Sequence, residues 1–97
     1  SVKINELRDN MSRVDAEGEV IDISEPRTVN LRTGGQSRVA EAQLRDDTGT
    51  IKLSLWGDQI DMVKVGQRVK VENGYTRSFR GEVQLNIGRY GKLNVLE

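Results

Sequence analysis

Ile51, Leu53 and Leu55 alternate with Lys52, Ser54 and Trp56. Successive side chains on a strand leave opposite faces, so this run predicts a strand with an aliphatic inner face and a polar outer face that ends in a tryptophan. The same period of two recurs along the chain. Val14, Ala16, Gly18 and Val20 keep one phase and Ile21 and Ile23 take the other. A first strand with a bulge or sharp bend near Val20 is expected, with Gly18 permitting close curvature. Residues 27–32 and 37–45 predict the arms of a hairpin around Thr33-Gly34-Gly35-Gln36, where the glycine pair accepts positive φ. Asp46-Asp47-Thr48-Gly49 predicts a tight turn, its carboxylate accepting local N–H bonds and Gly49 free to become left-handed. Residues 58–63 form a short amphipathic connector that Gly66 ends. Alternation resumes at 68–71, continues through Val83, Leu85 and Ile87 against Gln84 and Asn86, and closes with Leu93 and Val95. At the start, Ile4, Leu7 and Met11 fit either a helical turn or an extended strap closing one end of the fold.

This rhythm, with one proline and ten glycines as punctuation, predicts an all-β fold. Five principal strands, the first curved, with a short connector between the third and fourth, fit a five-stranded Greek-key barrel of OB type. A small SH3-like barrel is the alternative. The 97 residues make one domain, residues 1–97, large enough to bury about 60–70% of the unfolded surface. Eleven valines, six isoleucines and eight leucines suffice for a core with no aromatic side chain. The four aromatics are thereby free for other work.

Fifteen basic and fifteen acidic residues cancel, which weighs against a polyanionic partner. The average conceals a division: residues 1–61 carry eight Lys/Arg against twelve Asp/Glu, and residues 62–97 carry seven against three. A chain so divided can present one positive face. Without cysteine or histidine, thiolate or imidazole metal sites, thiol catalysis and imidazole-based triads are excluded. No cofactor, metal or enzymatic activity is expected. Glu41, Asp46 and Asp47 are read as structural, given their place in or beside a turn-forming block. The apolar runs are too short for a membrane span, and an intracellular protein is expected, in the cytoplasm with the nucleoid or in the nucleus.

Trp56, on the polar phase of its strand, is the first candidate for ligand stacking. Tyr75 and Phe79 follow in a stretch bearing Gly and Arg, a combination that suggests single-stranded nucleic acid. Strict alternation from Val69 and Val71 would put both rings in the core, so their exposure requires a change of phase, for which Gly74 is the expected site. Arg45, Lys52, Arg77, Arg80, Arg89 and Lys92, with Arg27, Arg32 and Arg38 on the hairpin arm, are the candidate phosphate contacts. Gln84 and Asn86, on the outward phase, are candidates for polar contacts to bases or sugars. Tyr90 fits a surface cap or a further contact.

The block Ala42-Gln43-Leu44-Arg45-Asp46-Asp47-Thr48-Gly49-Thr50-Ile51-Lys52-Leu53-Ser54-Leu55-Trp56 resembles the strand, D-x-T-G turn, strand and tryptophan of single-OB-fold single-stranded DNA-binding proteins of the replication protein A type. The resemblance continues through Val65-Gly66-Gln67, residues 71–75 and Phe79-Arg80-Gly81-Glu82-Val83-Gln84-Leu85, in similar order over residues 11–92. Archaeal and human simple single-stranded DNA-binding proteins are similar in this way. The resemblance implies base stacking at Trp56, Tyr75 and Phe79, although some relatives carry tryptophan in place of Tyr75 and a further aromatic in place of Asn86. It also implies work in DNA replication, repair or recombination beside other replication or repair proteins; a monomer or weak oligomer is expected, since edge strands permit pairing. The tail common in such proteins is not among these 97 residues, so recruitment through a tail is not expected of them. Single-stranded DNA, or RNA, is thus the expected partner. A protein-interaction OB module of a larger complex is the alternative, which the neutral net charge favours.

Overall fold

A computed structural model describes residues 1–97. It contains seven strands: β1 (Val14–Ile23), β2 (Arg27–Asn30), β3 (Gln36–Arg45), β4 (Thr50–Trp56), β5 (Arg68–Phe79), β6 (Glu82–Asn86) and β7 (Lys92–Val95). A 3-10 turn spans Ile4–Glu6, and one short helix, α1 (Gln59–Met62), joins β4 to β5. Five strands close a ring in the order β1-β3-β4-β6-β5, and β1 then pairs with β5. These are the five strands expected of an OB-type architecture, and α1 is the connector between the third and fourth of them. The other two are additions at the margins: β2 pairs with β3, and β7 with β5.

The ring closes because β1 serves two partners. Its first half pairs with β5 from Val14↔Gly74 to Glu19↔Arg68. Its second half pairs with β3 from Glu19↔Arg45 to Ile23↔Ala42, with a register shift between Val20 and Asp22. That shift is the bulge the change of phase at Ile21 predicts. Gly18 sits where the strands close on each other: a Cβ there would lie 2.5 Å from the Arg45 carbonyl oxygen, so no larger residue fits without moving backbone.

Inward-facing aliphatics fill the ring, with Val20, Leu44, Leu53, Leu55, Val69, Val71 and Leu85 fully buried. No aromatic side chain belongs to this core. The N-terminal segment is a strap that carries one 3-10 turn. Ile4 and Leu7 are buried in the core, and the Val2 N–H donates to the Asp15 carbonyl. Asp46 ties the strap to the turn between β3 and β4. Its Oδ2 accepts from the Ile4 N–H at 2.8 Å, and its Oδ1 accepts from the Thr48 N–H, Thr48 Oγ1 and the Gly49 N–H. Gly49 does not take the left-handed conformation the sequence allowed it; the Asp46 carboxylate closes the turn together with the bond from the Asp46 N–H to the Gly49 carbonyl.

β5 changes phase midway. Val69 and Val71 are buried, then Gly74 and Thr76, so Tyr75 and Arg77 face outward. Against β1 the register runs Ala16↔Val71 and Val14↔Gly74, one residue too many on β5. The left-handed residue of this bulge is Asn73, with φ 55°, one position before Gly74, where the change of phase was expected. Asparagine tolerates that region because its short polar side chain bonds locally. Gly74 is needed for space instead: a Cβ there would come within 2.7 Å of both the Asn86 carbonyl oxygen and Val71 Cγ1.

Candidate nucleic-acid interface

Two rows of cross-strand neighbours underlie an open groove, with Gln43 and Lys52 of the second row standing outside its lining. Glu41, Ser54, Asn86 and Tyr75 lie side by side on β3, β4, β6 and β5, and Gln43, Lys52, Gln84 and Arg77 form the next row. Trp56 stands two residues past Ser54 on β4, whereas Phe79 stands four residues past Tyr75 on β5, which runs the opposite way. Along the strands the three rings therefore span about 20 Å, with Tyr75 between the other two. The groove they line measures about 640 Å³. Trp56, Tyr75 and Phe79 are 42%, 36% and 57% exposed, which is high for side chains of this size.

Local contacts fix each ring. The Trp56 N–H donates to Gln59 Oε1 at 2.9 Å, pinning the end of β4 to α1. The edge of Tyr75 rests on Gly88, where a Cβ would lie 2.8 Å from its Cε1. Phe79 and Glu82 pair across a two-residue turn, Arg80-Gly81, with φ 51° and 80°, as expected of a hairpin of this length. Cations lie over two of the rings: Arg77 is 5.9 Å from the Tyr75 centroid and Arg80 5.1 Å from that of Phe79. Each side chain can accept a phosphate while its ring accepts a base.

The predicted polar residues divide. Arg32, Arg77, Gln84 and Asn86 line the groove with the rings, and neither Arg32 nor Arg77 is held in an ion pair. Arg27 lines it too, and the others lie outside the lining. Arg38 is on the opposite phase of β3 from Val39 and Glu41 and reaches Asp61 of α1 at 3.4 Å. Arg45 shares the outward phase but stands at the far end of β3, paired with Glu19 at 3.0 Å. Lys52 pairs with Glu82 at 3.1 Å beside the groove, and Arg80 caps the hairpin beyond Phe79.

Further lining residues lay outside the sequence reading. Val29 and Asn30 of β2, with Leu31 and Thr33 of the turn that follows, form one wall, and no periodicity singles them out. Glu41 contributes a carboxylate to the floor, offset by Arg27, whose Nη1 lies 3.0 and 3.1 Å from its two oxygens. Its place on the outward phase of β3, beside Val39, was the available signal. Ser54 is nearly buried at the bottom of the groove, and no buried side-chain polar atom lacks a partner. No group of three or more acidic side chains is placed to hold a metal ion.

Partial burial opposes ionisation of Asp46, but hydrogen bonds from the Thr48 side chain and from the backbone of Ile4, Thr48 and Gly49 outweigh it. They hold the carboxyl at about 2. Asp47 is likewise lowered, and Lys3 raised, by the hydrogen bond they share. These groups belong to the strap and its turn, and none lines the groove.

Residues 9–95 match a family described as single-stranded DNA binding protein Ssb-like, OB fold. The chain is 40% identical to the single-stranded DNA binding protein Ssb of Saccharolobus solfataricus over 91 residues, covering 94% of this chain and 61% of that protein. It is 33% identical to Replication factor A of Methanothermobacter thermautotrophicus over 88 residues, 90% of this chain and 11% of that protein. The chain thus spans less than two thirds of the length of either. The second OB-fold domain of replication protein A from Methanococcus maripaludis superposes with a TM-score of 0.82 at 26% identity, over 99% of this chain and 94% of that one. A replication factor A related protein from Methanobacterium thermoautotrophicum superposes equally well, 0.82 at 23% identity over 99% and 90%. The fold is an OB fold.

Proposed function

We propose, because the chain belongs to the Ssb-like OB-fold family of single-stranded DNA-binding proteins, that its groove binds single-stranded DNA with little sequence preference. Bases stack on Trp56, Tyr75 and Phe79, while phosphates meet Arg32 and Arg77 along the walls and Arg80 at the end. The observation that carries this reading is the placement of three exposed aromatic rings along one groove, in a molecule whose core uses none. Every base has a flat face, so stacking is sequence-tolerant and contributes about 1–3 kcal/mol per base. A span of about 20 Å corresponds to about six nucleotides at the 3.4 Å spacing of a stacked strand, within the range of about 4–16 for an OB fold. Gln84 and Asn86 in the floor bond base edges or sugars and add a mild preference.

The relative named Replication factor A supports replication as the setting, and protection of exposed strands in replication, repair or recombination is the cellular use we propose. RNA competes for the same stacking surface, since the discriminating group is the 2′-hydroxyl. Zero net charge favours the other reading, a protein-interaction module whose exposed aromatics anchor a partner. Anisotropy of a fluorescent oligo-dT, titrated with protein at low and high salt and competed with unlabelled oligo-U, separates these readings. Saturable binding that weakens with salt is expected, and no binding at low salt would leave the interaction module.

A further inference from the structure

Tyr90 is 79% exposed, more than any other large apolar or aromatic side chain of the molecule. The loop that presents it, between β6 and β7, is nonetheless tightly fixed. Gly88 has φ 76° and lies against the Tyr75 ring, where a Cβ would come within 2.8 Å. Gly91 is so close to the chain that a Cβ would fall 1.9 Å from the Ile87 carbonyl oxygen. Between these two glycines, Asn73 Nδ2 donates to the Tyr90 carbonyl at 3.3 Å. Glycines at both ends and an asparagine tether hold two residues out into solvent, Arg89 and Tyr90. Arg89 lies 5.7 Å from the Tyr90 ring centroid and forms no ion pair.

The loop's position gives this presentation a purpose. Ser54 is level with Asn86 across β4 and β6. β6 runs parallel to β4, so the chain beyond Asn86 continues in the direction of Trp56, and Gly88 reaches the edge of the Tyr75 ring; the Arg89–Tyr90 loop therefore follows at that end of the groove, on the side away from Phe79. The pair repeats the chemistry of Tyr75 with Arg77 and Phe79 with Arg80: a ring with a guanidinium over it. We infer that Tyr90 and Arg89 form a fourth stacking subsite for single-stranded nucleic acid, outside the groove, which takes the next base and its phosphate as the strand leaves past Trp56 and Tyr75. This inference rests on the reading of the groove as a nucleic-acid site.

The test is a length series. Binding of oligo-dT of about six nucleotides, enough to cover the groove, is compared with that of about twelve, in the unaltered chain, Tyr90→Ala, Tyr90→Phe and Arg89→Ala. Tyr90→Ala should bind the short oligomer as the parent does and lose at least about fivefold on the long one, the lower end of what one stacked base contributes. Tyr90→Phe should retain the gain. Arg89→Ala should reduce the salt slope on the long oligomer by about 0.7, one phosphate contact on a single strand, and leave the short one unchanged. Equal affinities of parent and Tyr90→Ala at both lengths would overturn the subsite and make Tyr90 a surface cap. Failure of the parent to bind either oligomer would instead overturn the reading of the groove itself.

Discussion

The Asn73 N–H donates to Asp15 Oδ1 at 2.8 Å, a bond from β1 to the single left-handed residue of the β5 bulge. Downstream of that bulge Tyr75 points into the groove rather than the core. The bond therefore links ring closure to presentation of a groove aromatic.

Asn73→Ala should destabilise the fold by about 1–2 kcal/mol, the usual cost of a left-handed backbone in an L-residue without local compensation. Asn73→Gly should cost less than half as much, since glycine enters this region freely. Urea unfolding of the two variants checks the order. Equal losses would place the cost in the side-chain bond to Tyr90 rather than in the backbone.

Trp56→Ala and Phe79→Ala should each weaken oligo-dT binding at least tenfold, a loss of about 1.4 kcal/mol and within the contribution of a stacked base. Neither should shift the thermal midpoint by more than a few degrees, because neither ring belongs to the core. Anisotropy of a labelled oligomer gives the affinity and circular dichroism the midpoint. An unfolded variant would assign the ring to the interior.

Among the arginines, the groove divides the expected effects. Arg32→Ala and Arg77→Ala should each lower the slope of log K against log salt by about 0.7. Arg38→Ala and Arg45→Ala, whose side chains lie outside the groove with Asp61 and Glu19, should leave the slope unchanged. Titrations at four or five salt concentrations distinguish the two pairs. Equal effects of all four would mean a diffuse electrostatic surface in place of a groove.

Much of this arrangement is legible in the residues. The alternation of Ile51 to Trp56 gives both a strand and its outward tryptophan, and the phase slip at Ile21 gives the bulge of β1. Less legible is anything that depends on a tertiary neighbour. Asn73, one position before Gly74, is the left-handed residue, because an Asp15 carboxylate distant in sequence receives its N–H. Gly49 stays out of the left-handed region, in a turn that Asp46 closes while it holds the strap. Arg45 reads as an outward cation and Arg38 as one on the hairpin arm, but composition does not say which end of a strand the groove occupies or which acid lies alongside. The hairpin arm contributes a wall through residues without periodicity, and β2 and β7 join the sheet only at its margins.

Asp46 makes stability depend on acid pH. Its carboxyl is held at about 2 against an ordinary 3.8, so the folded form favours the carboxylate. The contribution is fully present above about pH 4 and is lost as pH falls through about 2. Asp46→Ala should destabilise the fold by about 1–3 kcal/mol near neutrality, the range for hydrogen bonds to a charged group and for donors left without an acceptor. Thermal midpoints of parent and variant should run apart above pH 4 and converge towards pH 2. Parallel curves throughout would show that the carboxylate's charge adds nothing to the turn.

The groove itself is tested most directly by backbone amide shifts of the labelled protein with and without oligo-dT. Amides of Ser54 to Trp56, Tyr75 to Phe79 and Gln84 to Asn86 are predicted to move together, while those around Lys3 and Asp46 stay in place. Shifts confined to other surfaces, or none at saturating oligomer, would contradict the placement of single-stranded DNA across these three rings.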